Sequence, residues 1–289
     1  MDETTPIETT GDWEWKHPHT DELDELRAQI NAHEGTRRAR LLSDLARTFD
    51  AWARFSRTFH SLLLACETDE DTILELMRNV GDRTKQDSLV TALDQAIIAY
   101  GAGAGAVVDQ SRNVLKLQSA ELREAEAAHR NSVIGPIPGA VFLTKLRNYV
   151  LHYVAAPWEF TGEIQDDRQT AKVLLASDAL KRFDWNVATR EFIESQGDGV
   201  QLSNLLQPFL IAMTDHTNWI LEQCYNENAQ LTADVNGLVA KSNLLLTGGA
   251  SDGRDWEARM AHVAENLKRK ERGESQLDYQ TGKPISEAT

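Results

Sequence analysis

The chain has 289 residues, 41% of them hydrophobic and 26% charged, which suffices for one large core or two modest ones. Thirty Lys and Arg stand against 45 Asp and Glu, a net charge of −15. That balance excludes a protein that coats nucleic acid through a broad basic face, while leaving room for a small basic pocket. Seven prolines and 17 glycines exclude a fibrous or low-complexity chain.

No apolar run reaches the roughly 18 residues of a membrane-spanning helix. The acidic, polar start Met1-Asp2-Glu3-Thr4-Thr5-Pro6 does not read as a secretory signal. Cys66 and Cys224 stand far apart without CxxC spacing, as expected of reduced core residues in a cytoplasmic protein. Residues 1–34 hold ten acids and only Lys16 and Arg27 as bases, so this leading segment carries −8 of the whole −15.

In chain order, residues 1–19 read as an acidic flexible arm with Trp13 and Trp15 among carboxylates. His17-Pro18-His19 lies there beside Asp12 and Glu14, and reads as solvated arm rather than as a metal site. Thr20-Asp21 starts a helix that stops near Gly35. Leu41, Leu45, Phe49, Trp52, Phe55, Phe59, Leu62 and Cys66 recur at steps of three or four and predict one long amphipathic helix. A short helix follows Thr68-Asp69-Glu70-Asp71. A second long helix is expected from Thr84 to about 131, with Leu89, Leu93, Ile97, Tyr100, Ala104 and Val107 on its core face. Gly101, Gly103 and Gly105 lie inside it. With no preceding strand and no following Lys-Ser/Thr they do not make a phosphate loop, and they predict close packing against another helix.

Gly135-Pro136-Ile137-Pro138-Gly139 punctuates the middle of the chain. A helix over 140–155 follows and stops before Pro157. Residues 158–177 read as a small hairpin or loop insertion. Helices are expected again at about 178–196, 201–226 and 228–246, with Trp219 and His216 packed in the core. Gly248-Gly249-Ala250-Ser251-Asp252-Gly253 is a flexible break before a polar helix at 254–272 and a tail. The basic run Lys268-Arg269-Lys270-Glu271-Arg272 suits the negative end of that helix. The fold class is thus all-α: an arm at 1–19, a helical-bundle domain at 20–247, and linker, helix and tail at 248–289.

One segment carries chemistry. The 140–155 helix contains Leu146-Arg147-Asn148-Tyr149-Val150-Leu151-His152-Tyr153. Arg followed several residues later by His also occurs at Arg54–His60 and Arg123–His129, but only Arg147 has Asn directly after it. On a helix Asn148 and His152 are i and i+4 and share a face, so the amide can orient the imidazole. Arg147 and His152 lie about 140° apart around the axis and about 7.5 Å along it. One helix does not easily aim both at one phosphate, whereas two copies meeting across a two-fold axis do.

Arg147-Asn148-x3-His152 resembles the active-site motif of the HEPN superfamily, compact helical bundles many of which are metal-independent ribonucleases. The resemblance covers this helix and otherwise only the helical character of the chain. It implies a HEPN-like bundle with additional helices, and an endoribonuclease acting as a homodimer on RNA in toxin–antitoxin, abortive-infection or antiviral defence. Arg147, Asn148 and His152 would then be catalytic, and Lys145, Tyr149 and Tyr153 would touch substrate. No cofactor or metal is implied, and an antitoxin or other protein partner is. Some members place a Tyr two residues after the His, where an antitoxin modifies it; here that position is Val154. A second reading stays open. Leu146, Tyr149, Val150 and Tyr153 form an apolar face, Arg147 pairs with a surface acid, and the chain is a non-catalytic interaction or regulatory module binding a protein or nucleotide.

Overall fold

The computed structural model describes residues 19–77, 81–152, 155–165, 168–246, 256–277 and 283–284, without side chains at 151–152, 163–165, 168–169 and 256–260. Among the described residues there are eleven helices and one three-stranded sheet, so the all-α expectation holds in its coarse form. By contact the chain divides into two compact units, Met1–Arg37 with Gln230–Thr289, and Arg38–Ala229.

The first unit contains α1 (Thr20–Ala32), α10 (Ala229–Leu246) and α11 (Trp256–Glu271). His33 breaks the helical run before α2 (Glu34–Thr68). Its Nδ1 accepts from the Gly35 N–H at 3.0 Å, and the Thr36 hydroxyl donates to the Ile30 carbonyl at 2.5 Å. Past α11, Asn266 pairs both ways with the Leu277 backbone, at 3.0 and 2.8 Å. The basic run is partly neutralised: Arg272 lies 3.3 Å from Glu265, and both Arg269 and Arg272 reach Glu274.

The second unit holds the main core. The stripe of α2 buries Leu45, Phe49, Trp52, Phe59, Leu63 and Cys66. Burial pushes the Cys66 thiol up to about 11 and that of Cys224 to about 12, and neither cysteine is in a disulfide. Trp52 meets Tyr100 of α4 (Thr84–Leu115) and Phe209 of α9 (Ser203–Glu227). The short helix α3 (Glu70–Leu76) begins where the Asp69 carboxylate accepts from the Thr72 N–H at 2.9 Å, a capping bond. By length and composition α4 could cross a bilayer; in this fold Leu93, Ile97, Tyr100, Val107 and Val114 place it in the core.

Three expectations need correction. The helix from Thr84 does not run to 131. It stops at Leu115, and α5 (Ala120–Val133) starts afresh because Ser119 Oγ accepts from the Leu122 N–H. The helix expected over 178–196 is two: α7 (Ser177–Leu180) and α8 (Val187–Ser195), the latter capped by Asn186. The helix expected from about 201 begins at Ser203, because Gly199–Gln201 form strand β3, which pairs with β2 (Arg168–Ala176). The hairpin alternative at 158–177 is the one observed: β1 (Trp158–Gln165) pairs antiparallel with β2, Trp158 facing Leu175 and Gln165 facing Arg168. Buried Glu67 ties α2 to this sheet, its Oε1 accepting from Gln201 and Ser203 at 3.0 Å.

Candidate functional site

The motif lies on α6 (Ala140–His152), launched from Gly139. Gly139 has φ +73°, and a Cβ there would meet Phe192 at 2.7 Å, so glycine is required on both counts. The helix packs on α4 on one side and α8 on the other. Phe142, Leu146 and Tyr149, spaced four and three apart, form its buried face.

Tyr149 is 0% exposed, with its ring stacked on Trp185 (centroids 5.6 Å, planes 18° apart) and edge-on to Phe183. It is a packing residue and not a substrate contact as the motif resemblance implied. Burial explains this: an aromatic ring on the apolar stripe goes inward even when its sequence neighbours are polar.

Arg147 lies against α4. A Cβ on Gly101 would stand 3.1 Å from the Arg147 Cα, and one on Gly105 would stand 2.6 Å from its Cδ and Nη1. The two glycines therefore form a notch that receives the backbone and side chain of Arg147. On the opposite side of α4, a Cβ on Gly103 would meet Trp52 Cδ1 at 2.8 Å. The close packing expected of these glycines is present on both faces of α4. The Arg147 side chain is 41% exposed, while its Nε is buried with no hydrogen-bond partner among the described residues. Its Nη1 lies 3.8 Å from Asp109 Oδ2, and Asp109 also receives Arg112 at 3.4 Å. Both partners of the Arg147–Asp109 pair are open to solvent, which limits its worth to well under about 1 kcal/mol.

Asn148 points elsewhere, about 100° further round the helix. With Lys145 it lines a shallow concavity of about 320 Å³ closed by Phe183, Asp184, Trp185 and Asn186. The single chain therefore holds Arg147 on the α4 side and Asn148 with Lys145 on the side of the 183–186 loop. His152 is the last residue of α6; its side chain, and all of Tyr153 and Val154, lie outside the described residues, as do His17 and Pro18.

The surface acid expected for Arg147 is Asp109, which the sequence did not single out, and the 183–186 loop opposite Asn148 was missed. Neither carries a local signal, because both are assembled by long-range packing. A polar cluster between α5 and α9 was also missed. There Glu126, His129 and Arg130 are spaced three and one apart on α5, and His216 and Trp219 three apart on α9. No group of three or more His, Cys, Asp or Glu among the described residues is placed to hold a metal. No family model, curated protein or solved structure matches the chain.

Proposed function

We propose that the chain is a metal-independent endoribonuclease of HEPN type, working as a cytoplasmic homodimer in bacterial toxin–antitoxin, abortive-infection or antiviral defence. The observation that carries this reading is the division of labour on α6. Tyr149 and Leu146 anchor the helix, while Asn148 and Lys145 are exposed and Arg147 is half-buried, its Nε covered and its side chain 41% open to solvent.

In the proposed reaction His152 takes the proton of an RNA 2′-hydroxyl. The oxygen attacks the adjacent phosphorus, and the 5′-oxygen leaves with a proton from a second acid. The product ends are a 2′,3′-cyclic phosphate and a 5′-hydroxyl. Arg147, always charged and planar, binds the phosphate oxygens as negative charge builds on them. Asn148, one turn before His152, holds the imidazole in one tautomer. The separation of Arg147 from Asn148 on one chain supports the use of a second copy, each subunit bringing its own motif to a shared cleft.

The test is cleavage of single-stranded RNA by the purified chain beside His152→Ala and Arg147→Ala, with circular dichroism to verify folding. Each folded variant should lose activity by at least about 10²-fold, the usual share of a placed acid–base group. Undiminished cleavage by His152→Ala removes the assignment. A second reading is favoured by the Arg147–Asp109 pair, which occupies the guanidinium within the fold. There the chain is a non-catalytic helical module binding a protein or a nucleotide. A monomer inert toward RNA, whose unfolding temperature rises with nucleotide, would establish it.

A further inference from the structure

The contact between α5 and α9 is built from ionisable groups that the α6 motif does not use. Glu126 is 8% and His216 5% exposed, and His216 Nε2 lies 3.1 Å from Glu126 Oε1. The other ring nitrogen of His216, Nδ1, lies 3.2 Å from His129 Nδ1. The His129 ring is nearly parallel to that of Trp219 (centroids 4.6 Å, 14°) and to that of His216 (5.5 Å, 16°). Arg130 Nη1 stands 3.7 Å from the same Glu126 oxygen. The titratable and charged groups facing the ring pair are thus Glu126 and Arg130 of α5. The helix α4 also packs on α9, and among the described residues it contributes no hydrogen bond or ion pair to either ring.

Ionised Glu126 only accepts, so His216 Nε2 carries a hydrogen and donates to it. In a neutral pair His216 Nδ1 is then the acceptor, and the His129 Nδ1–H donates into it. One added proton leaves a bond intact, on either ring. With two added protons both Nδ1 atoms carry hydrogen, and two donors face each other with no acceptor between two positive charges.

We propose that His129 and His216 form a proton-counting clasp between α5 and α9, closed while the pair holds at most one positive charge and released when both rings are charged. The hydrogen bond from His216 holds the Glu126 carboxyl below its usual range, so the carboxylate stays ionised where imidazoles titrate. Release has a path to α6, because α5 runs through residues 134–139 directly into that helix. The clasp does not rest on the nuclease reading; it is a property of the fold.

Amide hydrogen exchange of the full chain at about pH 7.5 and about pH 5, corrected for intrinsic rates, tests it. Protection across 120–133 should fall at least about tenfold at the lower pH, with that of α4 unchanged. In His129→Gln, which cannot charge, the fall should shrink to less than about threefold. Equal protection of α5 at both pH values, or an equal fall in the variant, overturns the clasp. Should the variant not fold, an NMR titration of the wild-type imidazoles decides. Two separated protonation steps, the second accompanied by shifts of the α5 amides, support the clasp; both rings charging with those amides unmoved overturns it.

Discussion

Two helix contacts in the second unit are made by opposite means. Helix α6 rests on α4 because side chains are missing: Gly101 and Gly105 let the Arg147 backbone approach, and Gly103 admits Trp52 from the other side. Helix α5 rests on α9 because ionisable side chains are present and matched, Glu126 to His216 and His216 to His129. The first contact is mainly steric, and its solvent-exposed Arg147–Asp109 pair gives pH only a small hold on it. The second is electrostatic, and each of its bonds depends on a proton count. The chain thus holds its candidate catalytic helix on a rigid seat, directly downstream of a helix whose seat is titratable.

Substitutions can break or sharpen this contrast. Trp52→Ala should have the largest effect, about 3–5 kcal/mol of stability, since it empties the space where α2, α4 and α9 meet. Gly101→Val should cost about 1–3 kcal/mol, because the new Cβ meets the Arg147 Cα, a backbone atom that cannot rotate away. Urea titrations should show both losses unchanged between pH 8 and pH 5. A loss at Gly101 that varies with pH would erase the distinction between the two contacts.

Glu126→Gln should cost about 1–3 kcal/mol at neutral pH, by leaving buried His216 without its anionic acceptor. Here the pH dependence has a sign. The carboxyl is held below its usual 4.5, so its contribution is full above that value and is lost as the pH falls through the lowered one. Wild type and Glu126→Gln should therefore converge in stability once the pH has fallen below that lowered value. A constant gap persisting below it would mean the carboxylate contributes by shape alone.

The smallest effect is expected at the surface. Asp109→Asn should change stability by less than about 0.5 kcal/mol, its partners Arg147 and Arg112 being solvent-exposed. It should raise affinity for single-stranded RNA by freeing Arg147. An unchanged or weaker affinity favours the non-catalytic reading.

Much of the fold was legible because it is local. The apolar stripe from Leu41 to Cys66 announces α2, and Asp69 announces α3 by its capping chemistry. The glycines of α4 were legible as a packing device, though not which helix they receive, since that partner lies some 45 residues downstream. The break between α4 and α5 was hidden because helical periodicity continues across Ser119. Strand β3 was hidden because three residues carry no alternation. The motif resemblance puts Tyr149 at the substrate, whereas its spacing from Phe142 and Leu146 marks the apolar face on which it is buried. The pairing of Glu126 with His216 spans 90 residues and has no local signature at all.

The most direct measurement is the chemistry of the cut ends. Purified protein is incubated with single-stranded RNA in excess EDTA, and the fragments are weighed by mass spectrometry. Fragments ending in 2′,3′-cyclic phosphate, and a substrate made resistant by one 2′-deoxy substitution at the scissile nucleotide, are the predicted result. Cleavage abolished by EDTA, or unaffected by the missing 2′-hydroxyl, would contradict it.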